Sequence, residues 1–113
     1  MKTLQITSHA VPFTVRLVMK GDRYGRLLSL VHDQDDPLVE FYDYSQRFKN
    51  DQEPFGQFVS RYSLTVLLKN RDTIAKGLDL EGGIPDWYIA PDDMAEIMHW
   101  LSQQPELQPH MPA

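Results

Sequence analysis

From Phe13 to Lys20 the chain alternates apolar and polar residues. Phe13, Val15, Leu17 and Met19 fall on one side of an extended chain, Thr14, Arg16 and Lys20 on the other, with Val18 as the exception. Successive side chains of a strand point to opposite faces, so this spacing predicts a half-buried antiparallel strand. A strand with one apolar face needs neighbours beside it and a layer to cover it.

The neighbours are readable on both sides. Thr3–Thr7 alternates more weakly and predicts a short first strand, interrupted by His9-Ala10-Val11-Pro12 because proline cannot donate to a ladder. Gly21-Asp22 signals a turn, after which a strand is expected from Tyr24 through His32. Leu28 and Leu30 would share one of its faces and Leu27, Ser29 and Val31 the other, the pattern of a central or partly covered strand. A second turn at Asp33-Gln34-Asp35-Asp36-Pro37 leads into Leu38–Asp43, a third strand of the same meander.

The covering layer must come from the rest of the chain. Tyr44 to Gly56 is polar and irregular, yet it carries Tyr44, Phe48 and Phe55. Loop aromatics ordinarily pin a loop to the core, and contact with a partner is the alternative. Phe58–Asn70 has the Val, Tyr, Thr and Phe content of a strand, but it runs long without a breaker, and the meander needs a cover. The expectation is a helix. Gly82-Gly83 and Pro85 mark a turn, with Trp87-Tyr88-Ile89 as a short strand. The last element is the clearest. Pro91 suits the first helical position, Asp92 and Asp93 suit the positive end of the helix dipole, and Met94, Ile97, Met98 and Leu101 form one stripe. Asp92, Glu96, His99 and Gln103 lie opposite, and Pro105 prevents continuation. The expected architecture is α+β: an antiparallel β-meander of three to four strands packed against two helices. It forms a single domain over residues 1–104, followed by a flexible polar, proline-rich tail over 105–113.

Composition narrows function by exclusion. A chain of 113 residues fits one domain that buries a core without staples. Without cysteine it has no disulfide, thiolate nucleophile or thiolate metal site. Its start lacks the apolar run of a secretory signal, and no stretch is apolar enough to span a membrane, so a cytoplasmic setting is expected. The net charge of −5 argues against general nucleic-acid binding, which needs a basic face.

No motif announces chemistry. Asp33-Gln34-Asp35-Asp36 opens like a calcium loop, but Leu38 stands where that loop needs glycine and Tyr44 where it needs glutamate. His9, His32, His99 and His110 share no metal-ligand spacing, the serines lack a strained glycine-flanked turn, and Gly82-Gly83 is no phosphate loop. No catalytic residue, metal ligand or cofactor is expected. Two features hint at contact: Trp100 flanks the helical stripe at its boundary, and Arg23, Arg26, Arg47 and Arg61 stand near Tyr24, Tyr44 and Tyr62. Each has an ordinary account, as a seal of the core margin and as cation–π stacking within the fold.

Three runs carry a resemblance: Asp22-Arg23-Tyr24-Gly25-Arg26, Pro37-Leu38-Val39-Glu40-Phe41-Tyr42-Asp43 and Gly56-Gln57-Phe58-Val59-Ser60-Arg61-Tyr62. With Gly82-Gly83-Ile84-Pro85-Asp86-Trp87, they make the chain resemble small proteins of bacterial plasmids and integrative elements. The resemblance implies a bacterial cytoplasmic setting and an accessory role, and supplies no activity or site. The function expected is that of a non-enzymatic interaction or regulatory protein that binds another protein, with a homodimer left open. Tyr44, Phe48, Phe55 and Trp100 are its candidate contacts. The alternatives are a small-ligand or enzymatic domain with a pocket between sheet and helices, and nucleic-acid association through Arg16, Lys20, Arg23, Arg26 and Arg61.

Overall fold

The computed structural model describes residues 2–6, 13–25, 28–43, 57–75 and 89–111. Four strands build the main sheet in the order β1 (Lys2–Ile6), β2 (Phe13–Val18), β5 (Leu38–Asp43) and β6 (Gln57–Ser63), every neighbour antiparallel. Between β2 and β5 the chain makes an excursion, β3 (Arg23–Tyr24) and β4 (Leu30–Val31), which pair with each other as a separate two-stranded sheet. Helices α1 (Leu64–Ala75) and α2 (Pro91–Ser102) follow, then a 3-10 helix at Pro105–His110. The α+β architecture is as the patterning predicts.

Register explains the core. Ile6 pairs with Phe13, Leu4 with Val15, Val15 with Phe41, Leu17 with Val39, and Val39 with Tyr62, so one face of the sheet is continuously apolar. Leu64, Leu67 and Ile74 from α1, Ile97 and Leu101 from α2, and Leu107 from the 3-10 helix complete the same buried cluster. Each fully buried aliphatic side chain stabilises the fold by roughly 1.5–3 kcal/mol relative to exposure. Phe41 pairs with Ser60 and Tyr42 with Phe58, leaving Val59 as the extra residue of a β-bulge.

Three expectations are corrected. Tyr24–His32 is a tight hairpin, not a strand. Gly25 at φ 91° and Leu28 at φ 55° turn the chain back, closed by Leu28 N–H donating to the Gly25 carbonyl at 3.2 Å. The segment Phe58–Asn70 is strand up to Ser63 and helix from Leu64. Ser63 switches it: its Oγ accepts from the Val66 N–H at 3.3 Å in the manner of an N-cap, while Leu64 N–H donates to the Pro37 carbonyl at 2.7 Å. Finally, β2 is buried on both faces, so Thr14 and Arg16, expected toward solvent, lie inside.

The last helix matches its expected stripe: Met94, Ile97 and Leu101 are buried, Met98 is half-buried, and Asp92, Glu96, His99 and Gln103 are exposed. In the stretch after Pro105, expected as a tail, the 3-10 helix sends Leu107 into the core with no remaining exposure. The expected strand at Trp87-Tyr88 and the turn at Gly82-Gly83 lie outside the described residues.

Candidate functional site

The face of the sheet away from the helices carries charge. Pairing sets Arg16 of β2 and Arg61 of β6 on either side of Glu40 in β5. Arg16 Nη1 donates to Glu40 Oε1 at 2.6 Å, and neither side chain retains any exposure. A buried ion pair loses much of its attraction to desolvation unless the remaining donors and lone pairs are satisfied. Here they are. Arg16 Nη2 donates to the Arg23 carbonyl, Tyr42 Oη donates to Glu40 Oε1 at 2.9 Å, and the Gly25 N–H donates to Glu40 Oε2 at 3.3 Å. Two of these four bonds come from the β3–β4 hairpin, so the ion pair fastens that hairpin over the sheet as a flap.

Rings hold its inner side. The Arg61 guanidinium lies 5.0 Å from the Tyr24 ring centre and 5.8 Å from that of Phe58, with Nη1 3.8 Å from Glu40 Oε2. Tyr24 in turn packs edge-on to His32 at 5.7 Å, and buried His32 donates from Nε2 to the Asp36 carbonyl at 2.8 Å. The flap base is closed by Gly21 N–H to the His32 carbonyl (2.7 Å) and His32 N–H to the Asp22 carbonyl (2.9 Å). Burial, reinforced by the negative charge of Glu40 and the hydrogen bond to it, pushes the Tyr42 phenol well above its ordinary 10.0 and keeps it protonated as a donor.

The exposed apolar residues of the flap lie on β4. Val31, across from Arg23, and Leu30, across from Tyr24 on the opposite face, are the large hydrophobic side chains left exposed among the described residues, at 54% and 55%. Leu28, two residues earlier, holds a left-handed backbone that is uncommon for a leucine. Among the described residues no strand pairs with the outer edge of β4.

A groove of about 530 Å³ runs between α1 and α2. Leu68, Met94, Met98 and Met111 line it, together with the exposed Arg71 and Asp72. It lies between helices, whereas the sequence placed a pocket between sheet and helices.

Of the predicted contacts, Tyr44, Phe48 and Phe55 lie outside the described residues. Trp100 is half-buried and packs against the core cluster. The Arg–Tyr proximity resolves at Arg61 and Tyr24 into stacking within the fold. Of the residues the nucleic-acid alternative would need, Arg16 is buried against Glu40, Lys20 bridges Asp35 at 3.0 Å, and Arg61 is stacked, whereas Arg23 is exposed and Arg26 lies outside the described residues. Sequence reasoning placed Arg16 on a polar face and missed its pairing. The available signal was Glu40 amid Leu38, Val39, Phe41 and Tyr42, a lone carboxylate in an apolar strand.

Among the described residues no three His, Asp or Glu side chains converge on a point that would hold a metal ion. Nor is any helix among them long and apolar enough to cross a membrane. Comparison with protein-family models, curated proteins and solved structures returned no match.

Proposed function

We propose that the chain is a non-enzymatic interaction protein that binds another protein through the exposed β4 edge of the β3–β4 flap. The observation that carries this reading is the exposure of Leu30 and Val31 on the edge strand of a hairpin tied to the sheet through Arg23 and Gly25. Adjacent large aliphatics in solvent gain nothing for folding, whereas apolar anchors ringed by polar residues suit an interface. Leu28 adds weight: a strained backbone kept next to the exposed pair is a choice that stability alone does not reward. The buried charges, by contrast, are absorbed by the fold.

The test compares proteins captured from a bacterial lysate by wild-type chain and by the Leu30→Glu/Val31→Glu variant. Both positions are exposed, so the variant is expected to unfold at the wild-type temperature and to lose the captured protein. An identical capture by both would refute the reading.

The second reading is a small-ligand domain using the α1–α2 groove. Its volume lies within the usual range for ligand sites, and methionines adapt to varied apolar shapes. Thermal-shift screening of apolar metabolites against wild type and Met98→Glu tests it. A ligand that raises the unfolding midpoint in wild type alone would move the function to the groove.

A further inference from the structure

We infer that the β4 edge takes up an extended, cationic polypeptide segment in which aliphatic residues alternate and lysine or arginine lies toward one end. The inference rests on the flap reading above and gives its partner a chemistry.

The apolar part follows from alternation. Leu30 and Val31 are consecutive in an extended chain, so they point to opposite sides of the strand, and both stand in solvent. A free edge strand that carries apolar side chains on both faces is open to pairing with another chain. The inner edge of this hairpin already has its partners: Arg23 faces Val31, Tyr24 faces Leu30, and the Asp22–His32 bonds extend the ladder. What remains is the outer edge, which takes an added strand through backbone bonds, with alternate side chains setting specificity.

The cationic part follows from what adjoins the edge. Directly after His32 the chain turns through Asp33, Asp35 and Asp36. Asp33 and Asp35 are exposed, and Asp35 takes part in a solvent-facing bridge in which Lys20 is 60% and Asp35 88% exposed. Exposed bridges of this kind exchange partners at little cost. Arg23 is the exposed cation on β3, opposite Val31, so the partner's cations belong beyond Val31, over the aspartate turn. A second copy of this chain fits less well, because with 16 acidic and 11 basic residues each copy brings a net −5 toward the other.

The experiment selects displayed random peptides on the purified full chain and measures the enriched peptides against variants. The expected result is enrichment of sequences that alternate Val, Ile or Leu and end in Lys or Arg. Their binding should weaken about tenfold in Asp33→Asn/Asp35→Asn, a difference of about 1.4 kcal/mol. It should weaken again as salt is raised, and it should vanish in Val31→Glu. Several outcomes would overturn the inference: no enrichment, neutral or acidic consensus sequences, helical spacing of the apolar residues, or a wild-type dimer in sedimentation that Val31→Glu dissolves. Neutral peptides that still need Val31 would sink the cationic chemistry and leave the flap reading standing. Peptides and lysate proteins that bind Val31→Glu as well as wild type would remove both.

Discussion

Arg16 and Glu40 face each other across the central strands β2 and β5, 2.6 Å apart and without exposure, and the atoms that complete their hydrogen bonding include the backbone of a flap formed between them in sequence. Losing one partner should therefore be far worse than losing both. Glu40→Gln leaves a buried guanidinium without its counter-charge and is expected to lower unfolding free energy by about 3–5 kcal/mol. The paired replacement Arg16→Met/Glu40→Leu should be more stable than Glu40→Gln, yet remain below wild type because Tyr42 Oη and the Gly25 N–H lose their acceptor. Urea unfolding of wild type and the two variants measures both differences.

Tyr42 links the same cluster to pH. Its phenol titrates above 10.0 when folded and near that value when unfolded, chiefly because burial opposes the phenolate. Above pH ~10 the unfolded chain therefore releases a proton that the folded one retains, and stability falls as pH rises. Tyr42→Phe should be less stable than wild type at neutral pH by about 1.5–3 kcal/mol, the worth of a hydrogen bond to a charged group. It should also lose stability less steeply between neutrality and strong alkali. Thermal midpoints of both proteins across that range give the comparison.

Leu28 should reveal its backbone strain through the order of its variants. At φ 55° a β-branched residue fits worst and asparagine tolerates the conformation well. Leu28→Val is expected to destabilise by about 1–2 kcal/mol, and Leu28→Asn to stay within about 0.5 kcal/mol of wild type. Chemical denaturation reads the order directly, and a less stable Asn variant would mean that the leucine side chain matters more than its backbone.

Leu107 has no exposure, so Leu107→Ala should cost about 2–5 kcal/mol and lower the thermal midpoint markedly. Exposed Glu96, on the outer face of α2, provides the contrast. Glu96→Ala is expected to change stability by less than about 0.5 kcal/mol.

How much of this was legible depends on the range of the interaction. Alternation in Phe13, Val15 and Leu17, and the stripe of Met94, Ile97 and Leu101, are local patterns, and both predict their buried faces correctly. The opposite face of β2 was not legible, because Glu40 lies 24 positions from Arg16 and the flap that covers them folds back by way of Gly25. Phe58–Asn70 offered strand propensity and helical length together, and the structure uses both in turn. Neither glycine nor proline marks the junction at Ser63, only a hydroxyl that caps the next element. Leu107 was hidden by its proline-rich surroundings, which look like solvent-exposed tail to any composition argument. The exposed pair Leu30 and Val31 read as strand interior, since apolar residues on both sides signal burial until a structure shows the edge.

The flap reading stands on Gly25, whose buried amide reaches Glu40 from the hairpin. Hydrogen exchange at that amide, compared between wild type and Arg16→Met/Glu40→Leu, is the most direct test of a flap fastened by the ion pair. The account predicts protection close to that of the central strands in wild type, and exchange faster by about 100-fold or more in the double variant while Val15 and Phe41 stay protected. Equal exchange at Gly25 in the two proteins would contradict it.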